Sequence, residues 1–274
     1  ELGDIFPPLV ASHNRVGEVT DALLTELGLE EEIAVFAGGA DNACGALGAG
    51  VINEDQTLCS IGTSGVILAP ENSEGLNYGH NIHYFKHVLP NTAYAMGVTL
   101  SAGYSLNWFK ETVFPETSFE DMIEAASKTN IGANGLIYAP YIQGERTPHG
   151  DAIVRGSFVG LSGSTTAGQM ARATIEGITY ALYEAIDFMR QAGKSIDHII
   201  SIGGGAKSEF WLQLQADIFN IKVSKLNYEE GPGMGAAMLA AVGLGWFDSF
   251  EDCAKQFIKT SNTYTPNEDN HQRY

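Results

Sequence analysis

The sequence predicts an α/β protein built on one mixed sheet with helices on both faces. Two stretches predict its antiparallel part. Residues 56–70 (QTLCSIGTSGVILAP) read as two apolar strands about a GTSG turn, and residues 81–100 as two further alternating strands. A third stretch, 197–245, alternates strand, helix, strand and helix, the pattern of parallel strands joined by crossover helices.

The elements follow in order. The chain lacks an initiator methionine and opens on ELGDIFPPLVASHNRVGEVTDALLTELGL, which reads as linker and short helix from within a longer protein. IAVFAGG (33–39) is expected to be a short buried strand, and a helix starts near Asp41. After the four strands, SAGYSLNWFKETVF (101–114) is a helix with Ser101 as N-cap. Residues 115–165 read as less regular and include the turn-rich YIQGERTPHGD. A long helix spans 166–192, where Met170, Thr174, Ile178, Ala181, Ala185 and Phe188 recur at helical spacing. Strand 197–205, helix 208–219, strand 222–227 and helix 231–245 come next, and the polar tail NTYTPNEDNHQRY is expected to fray.

Composition narrows the function. The 274 residues carry a net charge of −18, with 15 basic against 33 acidic side chains. That balance leaves no basic footprint for nucleic acid and disfavours an anionic membrane surface. No apolar run is long enough to span a bilayer. Cys44, Cys59 and Cys253 are widely spaced and odd in number, which points to reduced thiols and a cytoplasmic setting.

Several motifs carry chemistry. SIGTSG (60–65) places glycine and hydroxyl donors at a strand turn, suited to a phosphate, although an ordinary hairpin reads the same way and no P-loop lysine follows. IGGGAKSEFW (202–211) ends a buried strand in three glycines and starts a helix at Ser208, a nucleotide-binding arrangement or a tight structural turn. GPGMGA (231–236) imitates a dinucleotide fingerprint, but proline stands second and no ribose-binding acid follows, so close helix packing accounts for it better. In HNIHYFKH (80–87) only His83 and His87 share a strand face and no carboxylate or cysteine completes a metal set, so these histidines read as surface or packing residues.

FAGGADNACGALGAG (36–50) holds one charged residue, Asp41, among glycines and other small side chains. A carboxylate at a helix N-terminus suits the positive end of the helix dipole, and small neighbours let a substrate approach. Such an aspartate is placed to accept a proton from a hydroxyl that attacks a phosphoryl group. It could equally be an N-cap.

GGADNACGALGAG, SIGTSG, GERTPH, GSFVGLSGSTTAGQMARATIEG and GGGAKSEFWLQLQAD together resemble the FGGY family of carbohydrate kinases over essentially the whole chain. GxFxGL at 156–161 with QMARATIE at 169–176 is the most specific match, while GGADN and GERTPH favour the branch that acts on xylulose. The resemblance implies an actin-like, ribonuclease-H-like ATPase fold and transfer of the γ-phosphoryl of ATP, with Mg2+, to D-xylulose. A different sugar or polyol, such as gluconate, ribulose or glycerol, is the nearest alternative, and a non-catalytic ATP-binding module the next. It implies Asp41 as general base and Asn42 as a sugar contact. Gly62, Thr63, Gly103, Asn107, Gly205, Ala206 and Glu209 would form the ATP site, with a side chain at Gly205 crowding the base or ribose. Residues 1–52 would end the N-terminal sugar-binding domain and 53–274 form the nucleotide-binding domain. The rest of the N-terminal domain, with the magnesium aspartate, would lie outside this chain, whose last helix looks cut short. No metal ligand is expected within the chain, and the resemblance leaves a homodimer open.

Overall fold

A computed structural model describes residues 5, 7–72 and 75–274, so part of the expected opening linker (1–4 and 6) lies outside the described residues. β1 (Arg15–Glu18), α1 (Asp21–Leu27) and β2 (Ala34–Phe36) come first, and β1 pairs antiparallel with β2. The buried strand expected at 33–39 is therefore short and not buried: Ile33 and Val35 are each 39% exposed. The cause is that β2 belongs to a two-stranded ribbon rather than to the main sheet. α2 (Asp41–Gly48) follows, its residues from Ala43 to Gly48 all buried.

β3 (Gln56–Ile61), β4 (Gly65–Asn72), β5 (His83–Lys86) and β6 (Thr92–Thr99) form the antiparallel strands expected from the GTSG hairpin and the alternation after it. α3 (Gly103–Val113) starts two residues later than expected, and its N-cap is Ala102 rather than Ser101. The reason is local, because carbonyls of the β3–β4 turn take up the first N–H groups of α3 and no side-chain cap is required.

The stretch expected to be irregular holds α4 (Phe119–Ser127) and a second two-stranded ribbon, β7 (Ile137–Ala139) with β8 (Ser157–Val159). α4 is capped by Ser118, whose Oγ accepts from Asp121 N, and it buries Met122 and Ala126. α5 (Ala167–Gln191) starts on a capping box in which Thr166 and Gln169 bond each other's backbone.

β9 (His198–Gly203), α6 (Glu209–Phe219), β10 (Lys222–Leu226), α7 (Gly231–Gly243), α8 (Phe250–Phe257), β11 (Thr260–Tyr264) and α9 (Glu268–Arg273) complete the chain. The tail does not fray. β11 pairs with β10, Asp217 accepts from Asn267 N and Asn270 Nδ2, and Arg172 Nη2 donates to Tyr274 Oη at 2.7 Å.

The main sheet has seven strands in the order β11-β10-β9-β3-β4-β6-β5. β3, β9 and β10 are parallel, and every other pairing in the sheet is antiparallel. Helices cover both faces, as the sequence predicts. One core joins Ile61 and Ile67 of the sheet to Leu106 and Phe109 of α3, Ile175, Ile178 and Leu182 of α5, and Leu212 of α6. The other joins Leu58 and Leu68 to Leu47 of α2, Met238 and Leu239 of α7, and Cys253 of α8.

Glycines set the α2–α7 distance, as the reading of GPGMGA expects. A Cβ on Gly235 would stand 1.9 Å from Cys44 O, and one on Gly48 would stand 2.6 Å from Gly231 O. Both obstacles are backbone and cannot swing aside. Gly235→Ala should therefore force the helices apart and cost about 1–3 kcal/mol or more, typical of overpacking. Urea unfolding of the variant checks this, and an unchanged midpoint would show that the contact yields easily.

Candidate functional site

The tip of the β3–β4 hairpin, Gly62–Ser64, is docked end-on against the start of α3. Gly103 N donates to Gly62 O at 2.8 Å, while Ala102 N and Tyr104 N donate to Thr63 O at 3.1 and 3.0 Å. Gly103 has to be glycine, since a Cβ there would lie 2.5 Å from Gly62 O. Gly62 N closes on Ser64 O. The backbone N–H groups of Thr63 and Ser64 and both hydroxyls have no partner among the described residues. The carbonyls of Gly62 and Thr63 are thus tied back, and the backbone donors left over are those of exposed Thr63 and half-buried Ser64. Successive free N–H groups of this kind suit an anion. Asn107 lies on α3 one turn beyond Gly103 and is exposed, beside Tyr104 and Trp108.

The glycine turn after β9 meets the same place from the other side. β9 pairs with β3 up to Ile61↔Gly203, and a tight turn, Gly204–Lys207, leads to α6, which Ser208 caps by accepting from Trp211 N. Gly205 and Ala206 are buried and Glu209 is exposed. A Cβ on Gly205 would point at Ile61, 2.6 Å from Cδ1 and 2.9 Å from Cβ, so the missing side chain makes room for β3. Glu229, on the loop before α7, accepts from Gly203 N at 2.7 Å and fixes where the turn begins. Sequence reading did not single out Ser64 or Glu229. The hydroxyl of SIGTSG was a usable signal for Ser64, whereas Glu229 lies in an unremarkable loop.

The structure thus brings Gly62, Thr63, Gly103, Gly205 and Ala206 together around the end of β3, with Asn107 and Glu209 on the flanking helices. Among the described residues no hydrogen bond joins Asp41 or Asn42 to that group. The far end of α2 instead meets the end of β9: Gly45, Gly48 and Ala49 line a cleft of about 200 Å³ with Gly203, Glu229 and Gly231. Asp41 itself is exposed at the first position of α2, and its Oδ1 accepts from Asn42 N at 2.7 Å. Ala40, not Asp41, occupies the N-cap. The capping explanation of this aspartate therefore loses its position.

Behind Asp41 the sheet carries a buried aromatic group. His87 lies edge-on to Tyr94, with ring centroids 5.7 Å apart. His87 Nδ1 accepts from Leu89 N, so Nε2 carries the proton, and Nε2 is buried without a partner among the described residues. Burial pushes this imidazole down to about 4. His83 and His80 form no cation cluster with it, and among the described residues no group of three or more histidine, cysteine or acidic side chains would hold a metal ion.

The model of the FGGY family of carbohydrate kinases, C-terminal domain, matches residues 57–244, well over half of the chain. The chain belongs to this family. Xylulose kinases from Staphylococcus epidermidis and Bacillus subtilis are 59% and 52% identical to it over 273 and 271 residues. The match takes in 100% and 99% of this chain and 55% and 54% of theirs, so the chain spans about half the length of these FGGY relatives. Ligand-bound xylulose kinase and gluconate kinase, both from Lactobacillus acidophilus, superpose with TM-scores of 0.92 and 0.91, each at 28% identity and over 98% of this chain and 54% of theirs. The FGGY chain thus has the actin-like ATPase fold, and among its described residues no helix is long and apolar enough to cross a membrane.

Two expected outcomes follow from the packing of this site. Gly205→Val should lower the melting temperature by colliding with Ile61, and thermal unfolding at unchanged stability would refute the close approach. For His87, the folded pKa lies below the usual 6.5. The unfolded chain then binds more protons between about pH 6.5 and 4, so stability is full above that window and falls as pH drops through it. His87→Asn, which keeps an acceptor for Leu89 N, should remove up to roughly 3 kcal/mol of that dependence. Urea unfolding at stepped pH reads the difference directly.

Proposed function

We propose that this chain is the nucleotide-binding half of a sugar kinase that transfers the γ-phosphoryl of ATP to D-xylulose, giving D-xylulose 5-phosphate. The observation that carries it is the hairpin tip, where Gly62 and Thr63 turn their carbonyls into α3 and leave the N–H groups of Thr63 and Ser64 free for phosphate oxygens. Identity of 59% to a xylulose kinase favours xylulose. A gluconate kinase superposes almost as well as a xylulose kinase, at TM-scores of 0.91 and 0.92, and this keeps gluconate as the second reading.

In this proposal the adenosine lies along the 203–206 turn between α3 and α6, near Asn107 and Glu209, and the phosphates lie on the hairpin. Asp41 takes the proton of the sugar hydroxyl as its oxygen attacks the γ-phosphorus, and the bond to the bridging oxygen of ADP breaks. Asn42 orients the sugar beside it. General-base help and fixed donors toward the transferring group are what the transfer demands of a protein. Magnesium would neutralise phosphate charge. In this reading its ligands come from the N-terminal domain. Residues 1–52 would close an N-terminal domain that completes the cleft, and three buried free thiols fit a cytoplasmic enzyme.

Asp41→Asn in the full-length kinase is the decisive test. Asparagine keeps the shape but cannot take the proton, so kcat should fall about 10²–10⁴-fold, roughly 3–5 kcal/mol of barrier. Folding and ATP binding should be retained. Near-normal kcat in a folded variant would remove Asp41 from the chemistry, and a substrate panel of pentuloses, gluconate and glycerol in the same assay separates the two readings of the sugar.

A further inference from the structure

The GERTPH segment has no part in the site as built so far, yet its glutamate is one of the most deeply buried charged residues of the chain, 2% exposed. Glu145 lies alongside the end of β6, on the side that β5 leaves unpaired, since the β5 register covers only Ala93–Met96. Thr147 N donates to Val98 O at 2.9 Å, so the segment acts there as a substitute strand. The Glu145 carboxylate collects three donors. Thr99 Oγ1 donates to Oε2 at 2.5 Å, and Leu100 N and Arg146 N donate to Oε1 at 3.0 and 2.6 Å.

What these bonds hold is the short link between β6 and α3. Thr99 ends β6, Gly103 starts α3, and Ala102, Gly103 and Tyr104 are the residues whose N–H groups tie back the hairpin carbonyls. Thr99 also faces Gly65 across the sheet, at the base of the same hairpin. The link is therefore gripped from one side by Glu145 and grips the hairpin tip from the other.

We infer that Glu145 is a positioning residue for phosphate binding: by fixing the β6–α3 link it sets the hairpin tip in the shape that points the Thr63 and Ser64 donors at the nucleotide. This rests on the kinase reading of the hairpin. Burial pushes the Glu145 carboxyl up from its ordinary value, so its charge is disfavoured where it stands. Its acceptor oxygens are what the link uses. Glutamine can reproduce them, with its carbonyl accepting from Leu100 N and Arg146 N and its amide donating to Thr99 Oγ1.

The test is steady-state kinetics of the full-length kinase with ATP and the sugar varied separately. Glu145→Ala should raise the KM for ATP at least tenfold while the KM for sugar stays within about twofold, and Glu145→Gln should restore the ATP KM to near wild type. If the alanine variant fails to fold, Thr99→Val removes one of the three donors and should raise the ATP KM several-fold with folding intact. Equal rises in both KM values, an unchanged ATP KM in whichever of these variants folds, or a glutamine variant as impaired as alanine, would each overturn the inference. Gly62→Val is assayed in parallel. If it leaves the ATP KM unchanged, the nucleotide reading of the hairpin fails; if it raises the ATP KM while the Glu145 and Thr99 variants do not, only the role of Glu145 fails.

Discussion

Three N–H groups at the start of α3 and two carbonyl oxygens at the tip of the β3–β4 hairpin satisfy each other, and much of the molecule is arranged around that exchange. A helix leaves its first N–H groups without intrahelical partners, and a sharp turn leaves carbonyls exposed. Docking one on the other settles both needs without a capping side chain. It also polarises the hairpin backbone, because once the Gly62 and Thr63 carbonyls are taken up, the N–H groups of Thr63 and Ser64 are left over. The contact needs Gly103, which lets the two backbones approach, and it needs the neighbouring turn after β9 to clear Ile61, which accounts for the buried Gly205. Binding character here comes from backbone arrangement. In the proposed kinase reading, a chain of net charge −18 would meet phosphate here through backbone donors rather than a cluster of lysines.

Much of this fold is legible in the sequence because its signals are periodic. Apolar runs about a GTSG turn mark β3 and β4, alternation marks β5 and β6, and helical spacing marks α5. The glycines of GPGMGA announce a close helix contact, and the only ambiguity is whether a helix or a nucleotide fills the space. The parts that escape are those whose order comes from distant partners. The tail is polar and looks loose, but Asp217 and Arg172 hold it at several points. Ser101 looks like a cap, but a hairpin forty residues earlier does that work. IAVFAGG looks buried by composition, yet its ribbon does not join the main sheet.

The candidate site shows the same division. Gly62 and Thr63 sit in a turn that reads equally as an ordinary hairpin, and Gly103 is singled out only through the family resemblance, yet the structure joins the three by direct bonds. Asp41 is conspicuous as a lone charge among small residues, although nothing local decides what it does. Glu145 and Glu229 escape because each acts on a backbone group far away in sequence, Leu100 N and Gly203 N, and no local pattern records such a pairing.

The glycine contact between α2 and α7 has a mechanical side. Because Gly235 meets Cys44 backbone to backbone, α2 is geared to α7 and through it to the sheet. The coupling extends forward to Gly39, where Val88 Cγ1 already fills the place of a Cβ. It reaches the ribbon before α2 as well: Gly38 N donates to Ser12 O at 2.9 Å, and a Cβ on Gly243 of α7 would stand 2.3 Å from His13 O. Asp41 is therefore a tooth between two segments that both mesh with α7.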